Sequence, residues 1–141
     1  LENLLEMQYV VFELSKEKYA LRICDVYEII KMQRITVVHN TKHFLEGIIN
    51  LRGKIVPVIS LHKKFGLKNY ETTKSTRIIF VKIKDEMVGI VVDKVNYVTK
   101  FSDIQPPPEM VAGIDGNNFA GVGIIDEGVA SILEINTILN D

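Results

Sequence analysis

Residues 8 to 29, QYVVFELSKEKYALRICDVYEI, fall without a gap on residues 77 to 98, RIIFVKIKDEMVGIVVDKVNYV, at an offset of 69 (77 − 8). Val26 lands on Val95 and Ile29 on Val98, and the polar breaks Lys16-Glu17 and Asp85-Glu86 coincide. Both stretches carry β-branched and aromatic residues in short runs, which is a strand pattern. At a slightly longer offset Arg52-Gly53 falls near Glu127-Gly128, and each is followed by a helical turn, Ser60 to Phe65 and Glu134 to Leu139. One small unit written twice confines the chain to paired β units. The pseudo-repeats are 8–67 and 77–139, joined by a polar linker, 68–76. Two small barrels side by side, with a groove between them, meet that constraint.

The punctuation agrees with an all-β fold. Tyr9 to Leu14 and Tyr19 to Ile23 form a first hairpin, with Ser15 to Lys18 as its polar turn, and Val26 to Ile30 alternates as a third strand. Asn40-Thr41 reads as a helix N-cap opening a short turn through Phe44 and Leu45 to Gly47. GIINLRGKIVPVISL, from Gly47, reads as a hairpin. Ser60 to Gly66 is a helical turn closed by glycine. Arg77 to Ile83 and Val88 to Val92 are strands that turn at Asp85-Glu86. Gln105-Pro106-Pro107-Pro108 is an extended loop that no helix or central strand can contain. A last hairpin, Phe119 to Leu133, turns at Asp126-Glu127-Gly128, and Ile135 to Leu139 closes as a helical turn.

Composition narrows the function class. The 141 residues suit one domain. A chain of this size buries roughly 68–70% of its unfolded surface, so no disulfide is needed. The single cysteine, Cys24, excludes an internal disulfide framework and fits a reducing compartment. Net charge is −1 with no basic stripe, which argues against nucleic acid and anionic lipid. No apolar run approaches the ~20 residues that span a bilayer. The start, LENLLEMQ, is short and acidic, unlike a signal peptide. A cytoplasmic protein without direct membrane insertion is expected.

No catalytic constellation emerges. His39 and His43 stand at i, i+4, a metal-ligand spacing, and with Glu46 they supply a remote metal-dependent hydrolase reading. The expected cap at Asn40-Thr41 places His39 outside the helix, however, so surface histidines on a connector fit better. Gly113-Ile114-Asp115-Gly116 and Gly121-Val122-Gly123 precede strands rather than a helix N-terminus, so they read as turns and bulges, not phosphate cradles. Nothing resembles a nucleophile elbow. No metal and no cofactor is expected.

The Gly47 hairpin carries the candidate site. Its arms are apolar on both faces and therefore largely buried. Gly47, Asn50 and Gly53 suit the special backbone angles of a tight reversal. Pro57 makes its arm an edge or a bulge. Arg52 is then a guanidinium on a short rigid stalk, either a docking element or a solvated tip paired with a carboxylate such as Glu28. Val26, Ile29 and Ile30 alternate with Tyr27, Glu28 and Lys31, giving one dry and one wet face.

GIINLRGKIVPVISLHKKFGL, with QYVVFEL before it, RIIFVK and VGIVVDKV after it, and IQPPP further on, resembles the CheW family of bacterial chemotaxis coupling proteins over nearly the whole chain. The resemblance implies two five-stranded SH3-like β-barrels about a hydrophobic seam, with a few short helices and no enzymatic activity. It implies two partners: the cytoplasmic signalling tip of chemoreceptors, and the regulatory domain of the histidine kinase CheA. Carried over by position, Val26 and Glu28 match a family segment implicated in receptor contact, Arg52 matches an arginine important for coupling, and Gly47 and Gly53 match glycines where substitution is poorly tolerated; Ile29 and Leu51, beside them, complete the expected receptor-binding set. His39 and Lys42 stand where prolines are common, and Ser60 where an aspartate is usual. A stand-alone adaptor recruited to membrane receptor arrays is expected. The alternative is a CheW-like domain cut from a larger chemotaxis protein, either a CheA regulatory domain or a fusion to a receiver.

Overall fold

A computed structural model describes residues 4–39, 42–68, 71–126 and 128–139. The first hairpin pairs β1 (Tyr9–Leu14) with β2 (Glu17–Arg22). A single 3₁₀ turn, Ile23–Asp25, leads to β3 (Val26–Lys31). A connector then reaches the hairpin of β4 (Leu45–Leu51) and β5 (Lys54–Ser60), followed by α1 (Leu61–Phe65). β6 (Arg77–Ile83) and β7 (Glu86–Val92) form the next pair, and β8 (Lys94–Thr99) follows one residue later. The short strands β9 (Asp103–Gln105), β10 (Met110–Val111) and β11 (Ile114–Asp115) precede the last hairpin, β12 (Phe119–Ile125) and β13 (Gly128–Leu133), and then α2 (Ile135–Leu139).

These strands make a six-stranded sheet, β8-β1-β2-β13-β12-β9, and a five-stranded sheet, β3-β6-β7-β5-β4; β10 and β11 pair separately. The all-β class with few short helices is as expected. The expected closed barrels are not: among the described residues neither sheet pairs its two ends. The ends of the five-stranded sheet approach each other through the connector, where Thr36 and Ile48 exchange two backbone hydrogen bonds of 2.9 Å.

Alternation sets the cores. Tyr9 and Val11 point into a cluster inside the six-stranded sheet, whereas Phe12 and Leu14 point into a second one. Likewise Ile78 and Phe80 fill the five-stranded sheet, whereas Ile79 and Val81 join that same second cluster. The shared cluster is the seam, drawing Leu21 and Leu133 from one sheet and Ile59 and Ile90 from the other. A strand apolar on both faces is thus one that serves two cores.

The chain passes between the sheets twice, from β2 to β3 and from β7 to β8. The five-stranded sheet is therefore the continuous run β3 to β7, and the other sheet is assembled from both flanks. The polar linker lies inside that run, between α1 and β6.

Local details correct three expectations. The turns fall one residue earlier than expected, at Ser15-Lys16 and Lys84-Asp85, with Ser15, Lys16 and Lys84 at φ of 51°, 70° and 56°. Such left-handed angles close two-residue hairpins between twisted strands. The short turn expected to run to Gly47 is confined to His43-Phe44, where the Leu45 amide donates to the Lys42 carbonyl at 3.2 Å, because Leu45 already pairs with Ile59 and the Ser60 amide donates to the Phe44 carbonyl; its expected cap, Asn40-Thr41, lies outside the described residues. Part of the segment after the prolines is strand, which short polar-flanked pieces did not signal. The α1 prediction holds: Ser60 Oγ accepts from the Lys63 amide at 3.2 Å, and Gly66 closes the turn at φ 69°.

Tyr19 lies in the seam between Phe12 and Phe119, 1% exposed, and its hydroxyl has no protein partner among the described residues. Burial, with Glu17 nearby, pushes that hydroxyl up to about 12. The folded state holds this proton more tightly than the unfolded chain does. The associated stability is full below pH 10 and is lost as the pH rises toward 12. A buried unpaired hydroxyl costs about 1–3 kcal/mol. Tyr19→Phe is expected to raise the urea midpoint at pH 7 and to remove a phenol that ionises near pH 12 from an alkaline absorbance titration. A lowered midpoint would count against the unpaired assignment.

Candidate functional site

The β4–β5 tip is a two-residue reversal. Arg52 takes φ 50° and Gly53 φ 88°. Asn50 Oδ1 accepts from the Gly53 amide at 2.7 Å, so Asn50 stabilises the turn from the strand end. Arg52 is held in a left-handed conformation that a side chain rarely adopts. That backbone choice aims the guanidinium across to β3.

There it meets Glu28 in a two-pronged pair. Arg52 Nη1 donates to Glu28 Oε2 at 3.1 Å, and Nη2 donates to Oε1. The fork geometry matches a carboxylate. Hydrogen bonding from Arg52 holds the Glu28 carboxyl below its usual range, and Glu28, with help from the Tyr27 hydroxyl, pushes the guanidinium further up. The pair persists until the pH falls through that lowered carboxyl value. The Arg52 side chain remains 63% exposed. The structure shows Arg52 as an exposed tip paired with Glu28.

The other candidates divide. A register shift between Val26 and Glu28 bulges β3 at Tyr27 and turns that ring outward, 54% exposed. Ile29 is opposite Ile79, a seam residue, so it faces the seam, yet it is 38% exposed. Across the seam Val98 is opposite Val10, on the Phe12 face of β1, and is 48% exposed. The overlay of Ile29 on Val98 thus picks out two open apolar residues, one on each sheet edge. Val26 packs against the seam cluster, and Leu51 packs inside the five-stranded sheet. They anchor the two elements that carry Glu28 and Arg52.

Gly47 is required by proximity. It has φ 152°, and a Cβ there would lie 2.1 Å from the Thr36 carbonyl oxygen. At Gly53 a Cβ would meet open space.

The hydrolase trio does not assemble. His43 Nε2 is 3.1 Å from the Lys63 carbonyl oxygen, and Glu46 pairs with the Lys63 ammonium at 3.0 Å. Among the described residues no three His, Cys, Asp or Glu side chains are grouped to hold a metal. Among them, too, no helix is long and apolar enough to cross a membrane. Sequence reasoning missed the pair His62 and Asp93, 3.0 Å apart with His62 2% exposed. Their separation of 31 residues left no local signal.

The comparisons with known proteins bear on this geometry. Residues 8–141 match the CheW-like domain family. The chemotaxis protein CheW of Helicobacter pylori is 35% identical over 136 residues, covering 94% of this chain and 81% of that protein. The chemotaxis protein CheW of Thermotoga maritima is 31% identical over 140 residues, covering 99% and 92%. The crystal structure of the scaffolding protein TtCheW from Thermoanaerobacter tengcongensis superposes with a TM-score of 0.86 at 40% identity, covering 94% of this chain and 86% of that one. This chain belongs to the CheW-like family of chemotaxis scaffold proteins, which are adaptors rather than enzymes.

Proposed function

We propose that this chain joins the cytoplasmic signalling tip of chemoreceptors to the regulatory domain of the histidine kinase CheA, working in the cytoplasm and recruited to membrane receptor arrays. The observation that carries this reading is the exposed Arg52 guanidinium, fixed by a strained turn and a two-pronged bond to Glu28, beside the open apolar residues Tyr27 and Ile29. A helical receptor tip presents apolar side chains at helical spacing with polar neighbours, which suits an apolar strip ending in a cation. Val26 and Leu51 keep that strip rigid. We also read the chain as a single CheW-like domain, 1–141, made from the pseudo-repeats 8–67 and 77–139 with exchanged strands. The matching strand orders, β8-β1-β2-β13-β12 and β3-β6-β7-β5-β4, support this. The test is a pull-down of the chain with a chemoreceptor signalling fragment and with a kinase regulatory domain, separately and together. Capture of each alone, and of both at once, is expected. Failure to capture the receptor fragment overturns the reading.

A further inference from the structure

The two crossings between the sheets are secured differently. From β2 to β3, Arg22 Nε donates to Asp25 Oδ2 at 3.0 Å within one turn, and the Ile23 amide donates to the Gln8 carbonyl beside β1 at 3.0 Å. From β7 to β8 the crossing is Asp93 alone. Its amide donates to the Glu13 carbonyl on β1 at 3.0 Å. Its Oδ2 accepts from the Ser15 amide, in the β1–β2 turn, at 2.7 Å. The same oxygen lies 3.0 Å from His62 Nε2 on α1. A carboxylate oxygen only accepts, so the imidazole donates through Nε2. Ser15 Oγ reaches the same region again, donating to the Lys68 carbonyl at 2.6 Å. One oxygen thus ties the hairpin of the six-stranded sheet to the helix that follows the five-stranded sheet's β5.

Among the described residues, the pseudo-equivalent positions carry no such tie. Asp93 falls on Cys24 (93 − 69), which is exposed. Using the hairpin offset of 74 (128 − 54, the starts of β13 and β5), His62 falls on Asn136 (62 + 74), which is also exposed. The crossing at Cys24 and the helix at Asn136 form without these residues, so neither element itself requires them. His62 is buried at a cost that hydrogen bonding must offset.

We infer that His62, Asp93 and Ser15 form a clasp that sets the angle between the two sheets, making His62 a positioning residue for the scaffold. A scaffold works by holding two partners in one geometry, and its partner surfaces are only as fixed as the sheets that bear them. The positioning role rests on the two-partner reading above; the clasp does not.

The test uses the full chain with Cys24→Ser and spin labels at Ile55 on β5 and Val129 on β13, exposed positions on different sheets. The unmodified clasp should give one narrow inter-label distance distribution by pulsed dipolar spectroscopy. His62→Leu fills the site but cannot donate, and should broaden or shift that distribution with far-ultraviolet circular dichroism unchanged. His62→Gln donates through its amide and should keep it narrow. If His62→Leu fails to fold, Asp93→Ala removes the acceptor and must broaden the distribution in its place. A folded His62→Leu with the parent distribution overturns the clasp. For positioning, each partner should bind His62→Leu singly as it binds the parent, whereas binding of the second partner to the complex with the first should weaken at least about fivefold. Unchanged ternary binding with altered distances removes the positioning role. Absence of binary binding by the parent condemns the two-partner reading instead, and the distances still decide the clasp.

Discussion

Gly47→Ala lowers the unfolding free energy by about 3–4 kcal/mol, a large share of what a domain of this size has. The methyl group would sit 2.1 Å from the Thr36 carbonyl oxygen and 2.8 Å from Ile35 Cγ2. Neither can retreat cheaply. Thr36 is held by its two hydrogen bonds to Ile48, and Ile35 packs in the core of the five-stranded sheet. Relief requires breaking the bridge that draws the ends of that sheet together, with the loss of both Thr36–Ile48 hydrogen bonds. The positive φ adds strain of its own. Gly53→Ala is the control. It shares the left-handed backbone but meets open space, so its cost is the backbone term alone, about 1 kcal/mol. Urea unfolding followed by tyrosine fluorescence measures both, since the chain has no tryptophan. Equal losses at the two glycines would show that close approach at Gly47 is not the cause.

Arg52→Glu acts on binding and leaves the fold in place. The tip is exposed, and no core cluster includes residue 52. The new carboxylate would face Glu28, and repulsion in a solvated pair is small. The melting temperature should therefore stay within a few degrees of the parent. Affinity for a receptor signalling fragment should fall at least about thirtyfold, as removal of a binding hot spot does. The exchange Glu28→Arg with Arg52→Glu separates two causes. It restores an ion pair but moves the cation from the rigid tip to β3. Continued loss of binding in the exchange variant would assign recognition to the guanidinium at the tip. Recovery would assign it to the pair as a brace. A collapse in melting for Arg52→Glu alone would make Arg52 a structural residue and remove it from the docking surface.

Much of this was legible from local chemistry. β-Branched alternation marked β1, β2, β6 and β7. Asn50, Gly53, Ser60 and Gly66 announced their turn and helix caps through backbone angles and hydrogen bonds that span a few residues. The offset of 69 matches Ile29 to its counterpart Val98 from sequence alone. Turn positions slipped by one residue because Ser15 and Lys84 take left-handed angles that their residue types do not advertise. The start of β4 was lost because Leu45 is recruited by its partner strand, Ile59 being distant in sequence.

The sequence by itself determined most of the longer elements, the all-β class and the family, because periodicity, turn chemistry and motif order are properties of neighbouring residues. Tertiary structure decided the rest: which strand joins which sheet, that Arg52 finds Glu28, and that Asp93 gathers Ser15 and His62. An apolar residue on β1 or β6 reports that its face is buried, but the same pattern fits a sheet's own core and the seam equally well. The choice between them is made by pairing over long stretches of chain, where closure entropy and packing are settled for the whole molecule at once.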